Sequence, residues 1–222
     1  MRILLGSDYH CSEALQAEAL KLLPTVDFYI NCGDFCTRAG RMPKAAKLGC
    51  HPNGLIEMAR LETFLKQVDA LGVPWWFVPG NHEPPAATML HLQERIGSDH
   101  GRIFTEPEQL SLGVLQAWVI PLTPACGWGW ALGAERLAQL QAAYSGLAID
   151  VMVSHAPPLG YLDEGGKWYK PPLPTLRPLV DLVAPRYYFC GHMHYDGGQT
   201  AQSATTTFVN AALHNVVLEI TV

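Results

Sequence analysis

Charge is scarce in this 222-residue chain: 16% of its residues are Asp, Glu, Lys or Arg, whereas 49% are hydrophobic. Average soluble domains are roughly a quarter charged, and disorder needs low hydrophobicity with high charge. Disorder is therefore excluded as the main state. A basic excess is missing too, since the net charge of −5 offers no global field to duplex nucleic acid or an anionic membrane. The six cysteines, Cys11, Cys32, Cys36, Cys50, Cys126 and Cys190, form no CxxC pair and no spacing typical of a disulfide framework. A secretory h-region is lacking, because the apolar opening from Arg2 to Gly6 is short and Asp8 interrupts it. Residues 109–134 are uncharged, yet Pro121, Pro124 and glycines at 113, 127, 129 and 133 break any continuous spanning helix. With 20 Gly and 17 Pro, no heptad can be sustained. These absences predict a soluble, reduced, cytoplasmic globular protein.

What is there is an alternation of short apolar runs and helix-period segments. Strands are expected at Arg2–Ser7, Phe28–Cys32, Trp75–Val78, Ala148–Ser154 and Tyr187–Cys190, and two β-rich segments, Thr206–Val209 and Val216–Val222, close the chain. Gln109–Leu112 and Val114–Ile120 read as an antiparallel pair around Gly113. Ser12 is placed to cap a helix carrying Leu15, Ala19, Leu22 and Leu23 on one face, which Pro24 stops. A second helix carries Leu61, Phe64, Leu65, Val68 and Leu71, and a third Leu137, Leu140 and Tyr144. No repeat and no linker divides the chain. One α/β domain over 1–222 is expected, with a mixed sheet or two packed sheets and helices outside.

The polar residues fall where chemistry would need them. Five apolar runs each end in metal-competent side chains: Asp8 and His10, then Asp34, then Asn81, His82 and Glu83, then His155, then His192 and His194. In α/β sheets, ligands bind beyond the carboxyl ends of strands. Glycines before Asp34, Asn81 and His192 suit sharp turns there. Imidazole and carboxylate suit Mn, Fe, Zn or Ni, and seven groups exceed what one ion requires. A bridging carboxylate with three further ligands on each side uses all seven. Two divalent ions against two carboxylates leave a positive site suited to a phosphate ester, and such a pair makes hydroxide available near neutral pH.

This ordered set, DxH, GDxx, GNH[ED], a lone His and GHxH, resembles the calcineurin-like metallophosphoesterase superfamily. The motifs run from position 8 to 194. The resemblance implies a two-sheet β-sandwich flanked by helices in four layers. It implies one metal on Asp8, His10, Asp34 and His194, with Asp34 bridging to a second on Asn81, His155 and His192. His82 would give a proton to the leaving oxygen, with Glu83 as its supporting neighbour. Mn²⁺ is the ion expected first, with Fe, Zn or Ni as alternatives. Small members of the superfamily often act on phosphodiesters, so a diester is expected ahead of a monoester. The serine/threonine phosphatase branch carries GDxVDRG, whose Asp orients the catalytic His. Here Thr37 stands in place of that Asp while Arg38 matches the Arg, so that branch is not expected and the orientation of His82 needs another explanation.

Arg38, Arg41, Lys44 and Lys47 form a basic stretch with no acid until Glu57. Arg38 is the candidate for gripping substrate phosphate, and the stretch as a whole for a nucleotide or nucleic-acid fragment; a solvated loop is the plainer alternative. Trp128–Trp130 and Tyr161–Tyr169 read as loop anchors sooner than as base-stacking platforms. His51, His91, His100 and His214 lack metal-site context, and Cys32 and Cys190 read as buried small hydrophobes. Gly127–Gly133 is not GxGxxG, and its tryptophans obstruct a pyrophosphate, so dinucleotide binding is set aside. The competing class is a catalytically idle metal-binding scaffold like the retromer subunit of this fold. That subunit lacks the catalytic His, which is present here as His82.

Overall fold

The computed structural model describes residues 1–37, 52–124, 130–164 and 175–221, the side chains of 52 and 53 excepted. One sheet contains β1 (Arg2–Gly6), β2 (Phe28–Asn31), β3 (Trp75–Phe77), β4 (Gly101–Ile103) and β11 (Asn215–Glu219), in the order β11-β1-β2-β3-β4. The other contains β5 (Glu108–Leu112), β6 (Leu115–Ile120), β7 (Val151–Ser154), β8 (Tyr187–Cys190), β9 (Thr200–Gln202) and β10 (Thr207–Asn210), in the order β5-β6-β7-β8-β10-β9. β1, β2 and β3 run parallel, as do β6, β7 and β8. β5 and β6 pair antiparallel around Gly113, whose φ of 62° suits the turn.

Side-chain alternation along the strands builds the layers. Ile3 and Leu5 of β1 and Ile30 of β2 meet Ala117, Val119, Val151, Val153 and Phe189 of the facing sheet in a buried central core. Leu4 and Tyr29, one residue out of phase, point the other way. They pack under α1 (Glu13–Leu22), α2 (Pro52–Ala70) and α3 (Ala86–Ile96), which contribute Ala19, Phe64, Leu65, Val68, Met89 and Leu92. Trp118, Met152 and Tyr188 do the same on the far sheet, beneath Leu140 of α4 (Ala134–Ala143) and Leu179, Val180 and Val183 of α5 (Arg177–Val183). Each fully buried aliphatic or Phe side chain contributes about 1.5–3 kcal/mol. The two-sheet sandwich with helices on both outer faces is the expected architecture.

Ser12 caps α1, its hydroxyl accepting from Leu15 N at 3.4 Å, and a 3₁₀ turn over Leu23–Thr25 follows. Elements α3, β4, α5 and β9 were not anticipated. Helix α3 begins directly behind Pro84-Pro85, a pair that reads as loop, and α5 and the two strands span seven residues or fewer. Leu71 is 44% exposed, beyond the end of α2, so it is not part of that helix's buried face. No helix among the described residues is long and apolar enough to cross a membrane.

Candidate metal centre

Strands β1, β2, β3, β7 and β8 lead into Asp8 and His10, Asp34, Asn81 and His82, His155, and His192 and His194 respectively. Turning these side chains inward strains the backbone. Asp8, His10, Asp34 and His192 have φ of 55°, 45°, 52° and 68°, a left-handed region that costs a non-glycine residue about 1–3 kcal/mol. The three glycines serve two purposes. Gly33 takes φ 96°, as a sharp turn demands, whereas Gly80 and Gly191 have no positive φ and instead permit close approach. A Cβ on Gly80 would collide with the Asp34 carboxylate, and one on Gly191 with Ser7 and Asp8.

Two clusters result. Asp8, His10 and His194 form one, and Asp34, His155 and His192 the other, each with its ligand atoms mutually within 4.8 Å. Asn81 joins the second, its Oδ1 lying 3.1 Å from His155 Nε2. Asp34 therefore groups with the second set.

Backbone carbonyls decide which ring nitrogens face inward. Nδ1 lies 3.1 Å from the Cys36 carbonyl in His10, 2.6 Å from the Cys32 carbonyl in His155 and 2.6 Å from the Thr37 carbonyl in His82. A carbonyl can only accept, so each Nδ1 donates, and the neutral ring presents a lone pair at Nε2. In the second cluster that lone pair of His155 faces Asp34 Oδ2 at 3.2 Å and His192 Nδ1 at 3.1 Å, besides Asn81. In the first, His194 Nε2 lies 3.1 Å from Asp8 Oδ1 and 3.2 Å from His10 Nε2. Acceptors facing acceptors repel unless a cation or a proton lies between them, and mixed imidazole–carboxylate donors suit a divalent transition ion. The residues present fit such ions.

Protonation behaviour reflects the same crowding. Burial opposes charge on His155, but the Asp34 carboxylate pushes it up to about 10. Burial would raise Asp34, and His155 with its neighbours more than offsets that and holds it well below the carboxylate range. Asp8 is lowered likewise, against burial, by the His194 hydrogen bond. His192 drops to about 4 through burial and the nearby His155 charge.

The supports are largely backbone amides and small polar groups. Asp8 Oδ2 accepts from Ser7 Oγ at 2.6 Å and from His192 N at 2.7 Å, and Asp34 Oδ1 accepts from His82 N at 2.8 Å. Glu83, 1% exposed, accepts from Asp34 N, Cys36 N and Gly80 N at 2.8, 3.0 and 2.6 Å. It thus ties the β2 turn to the β3 turn. Burial and the nearby Asp34 push its carboxyl up to about 7. Thr37, standing where a phosphatase would have Asp, holds His82 with its main-chain carbonyl instead.

Arg38, Arg41, Lys44, Lys47, His51, Trp128 and Tyr169 lie outside the described residues. Trp130 is buried and donates its indole N–H to the Glu83 and Pro84 carbonyls, an anchor of the loop. Tyr161 stacks on Phe208 with Arg177 over its ring, also an anchor. His91 and His100 are exposed, and His214 pairs with the Ala212 carbonyl; none of the three joins a cluster. Cys32 and Cys190 are buried thiols. Sequence reasoning passed over Ser7, Asn31 and Asn210. Asn31 accepts from Gly33 N at 3.0 Å, and Asn210 donates to the Met193 carbonyl at 2.9 Å. Their signal was a polar residue at the end of an apolar strand, the same signal that marked the ligands.

Among known proteins, residues 1–196 match the calcineurin-like phosphoesterase family. A stretch of 84 residues, 37% of the chain, is 37% identical to UPF0046 protein K07C11.7 of Caenorhabditis elegans, and covers 27% of that relative's length. The solved structure of TT1561 of Thermus thermophilus superposes with a TM-score of 0.60 at 14% identity, covering 95% of this chain and 88% of that one. The phosphopantetheinyl hydrolase PptH from Mycobacterium tuberculosis does so with a TM-score of 0.56 at 13% identity, covering 96% and 89%. At such identities the two structures show a shared fold. The match over residues 1–196, carried on this fold, places the chain in the calcineurin-like phosphoesterase family.

Proposed function

We propose that this chain hydrolyses a phosphodiester, in preference to a monoester, at a two-metal centre within a single domain over 1–222. The observation that carries the reading is the convergence of His155 Nε2, Asp34 Oδ2, Asn81 Oδ1 and His192 Nδ1 beside the Asp8, His10 and His194 cluster. Asp8, His10 and His194, with Asp34 as the shared carboxylate, would hold one ion. Asn81, His155 and His192, with Asp34, would hold the other. When bound, such a pair supplies hydroxide near neutral pH and positive charge for the ester oxygens. Mn²⁺ heads the candidates, followed by Fe, Zn and Ni.

His82 is the proton donor in this reading. Its Nδ1 is committed to the Thr37 carbonyl, so the exchangeable proton is the one on Nε2, which lies 3.7 Å from Asp34 Oδ2 at the edge of the buried cluster. That position suits protonation of a leaving alkoxide or phenolate. Arg38 would grip a non-bridging phosphate oxygen. The basic stretch that follows it favours a nucleotide or nucleic-acid fragment as the esterified group. The free thiols of Cys11, Cys32, Cys36 and Cys190 agree with a reducing, cytoplasmic setting.

The test is hydrolysis of bis-p-nitrophenyl phosphate beside p-nitrophenyl phosphate by chelator-stripped protein, before and after Mn²⁺ is restored. Metal-dependent turnover, faster on the diester, is expected. Faster turnover of the monoester would overturn the diester preference, and turnover independent of metal would overturn the centre itself.

A further inference from the structure

We infer that Glu57, on the first turns of α2, is the positioning residue that orients His10 through the peptide plane joining Cys36 to Thr37. The inference deepens the proposed function and rests on its role for His10. Its basis is a set of contacts at that peptide unit and the carbonyl that follows it. Thr37 N–H donates to Glu57 Oε2 at 3.1 Å. The carbonyl of that same peptide unit, Cys36 O, receives His10 Nδ1 at 3.1 Å. The next carbonyl, Thr37 O, receives His82 Nδ1 at 2.6 Å, and Thr37 Oγ1 donates to the His10 carbonyl at 3.3 Å. The two imidazoles stand edge to face with centroids 5.3 Å apart, leaning on consecutive carbonyls.

A peptide unit is rigid, so fixing its N–H fixes the direction of its C=O. Glu57 is thus a point at which a helix acts on the His10 imidazole through the main chain. The hydrogen bond is charge-assisted and non-local, reaching 20 residues along the chain. A carboxylate drawing on the N–H also enriches the electron density of the conjugated Cys36 oxygen, strengthening its hold on His10. Glu83 secures the preceding amides of Asp34 and Cys36, so the turn after β2 is pinned by two carboxylates from two different elements. Glu83 fixes where Asp34 sits. Glu57 fixes where the Cys36 carbonyl points, and with it the His10 ring.

The experiment compares the unaltered full chain with Glu57→Ala, Glu57→Leu and Glu57→Gln, each stripped with chelator and titrated with Mn²⁺ by calorimetry. Glu57→Ala is expected to weaken one of the two Mn²⁺ equivalents about tenfold, the usual scale for a partner that orients a ligand. Glu57→Leu, which keeps volume without an acceptor, should match Glu57→Ala and serves if the alanine variant does not fold. Glu57→Gln should stay within about threefold of the unaltered chain, since its carboxamide oxygen still accepts the Thr37 N–H.

Unchanged Mn²⁺ affinity in both Glu57→Ala and Glu57→Leu would overturn the inference, as would a glutamine variant as damaged as the alanine one. If the unaltered chain takes up two equivalents and no Glu57 variant weakens either, the inference alone fails; if the unaltered chain takes up none, the proposed centre falls and the inference with it.

Discussion

His155 has no exposed side-chain surface, whereas 46% of the His194 side chain is open to solvent, yet each lies 3.1–3.2 Å from a carboxylate oxygen of its own cluster. The inner cluster of Asp34, His155, His192 and Asn81 sits beneath the turns after β2, β3, β7 and β8. The outer cluster of Asp8, His10 and His194 lies at the rim. The carboxylates differ in their supports. Asp34 is held in place at its own amide by Glu83, and its Oδ1 takes the His82 amide. Asp8 depends on the Ser7 hydroxyl and the His192 amide. In the proposed two-metal centre, low dielectric and fixed donors would make the inner position a holding site. The outer position, with its exposed His194, would be the one that an ester and water reach. On that proposal one cation is resident and the other exchangeable, on a single pair of carboxylates.

The largest effect that sharpens this contrast belongs to Asp34, the one residue assigned to both positions. Asp34→Asn should remove several kcal/mol of charge stabilisation, which at 1.36 kcal/mol per decade is about a thousandfold in kcat. Steady-state kinetics at saturating metal would show it, and a loss of less than tenfold would undo the bridging role. Next comes His82→Asn, expected to cost at least about a hundredfold in turnover on a poor leaving group. Metal analysis should still find both ions, because His82 belongs to neither cluster; loss of an ion would place His82 among the ligands.

Glu83→Ala addresses the inner support. It strips three buried N–H donors of their acceptor, and unpaired buried donors cost about 1–3 kcal/mol each. Denaturant unfolding of the metal-free chain should show a loss of about 3 kcal/mol or more, and an unchanged midpoint would mean that water or rearrangement satisfies those amides. The smallest effect is at the rim. Ser7→Ala removes the hydroxyl that steadies Asp8 and should weaken the exchangeable ion about tenfold, leaving the resident one unaltered. Calorimetric titration separates the two, and weakening of both alike would erase the contrast between inner and outer positions.

Much of this was legible because the ligands end apolar strands. ILLGS-Asp8, YINC-Gly33-Asp34 and YYFC-Gly191-His192 each change from hydrophobic to ligating within three residues. Period-2 burial in β1, with Ile3 and Leu5 facing one core and Leu4 the other, likewise follows from the sequence alone. Less accessible were supports set by contacts between distant segments. Glu83 in the GNHE run could be noticed, but nothing local says that its carboxylate meets the amides of Asp34 and Cys36, 49 and 47 residues away. Nor did Gly80 and Gly191 reveal that space, not backbone freedom, is what they supply. Helix α3 was hidden by the two prolines directly before it, Pro84 and the N-cap Pro85, a pair that reads as loop.

The proposed centre assigns seven residues to two ions of unequal accessibility, and a count of bound ions decides it. Stripped protein titrated with Mn²⁺ and followed by native mass spectrometry should take up two equivalents per chain. His194→Ala should retain the tighter one, and His155→Ala should lose it. A single equivalent in the unaltered chain, or the same residual ion in both variants, would contradict the account.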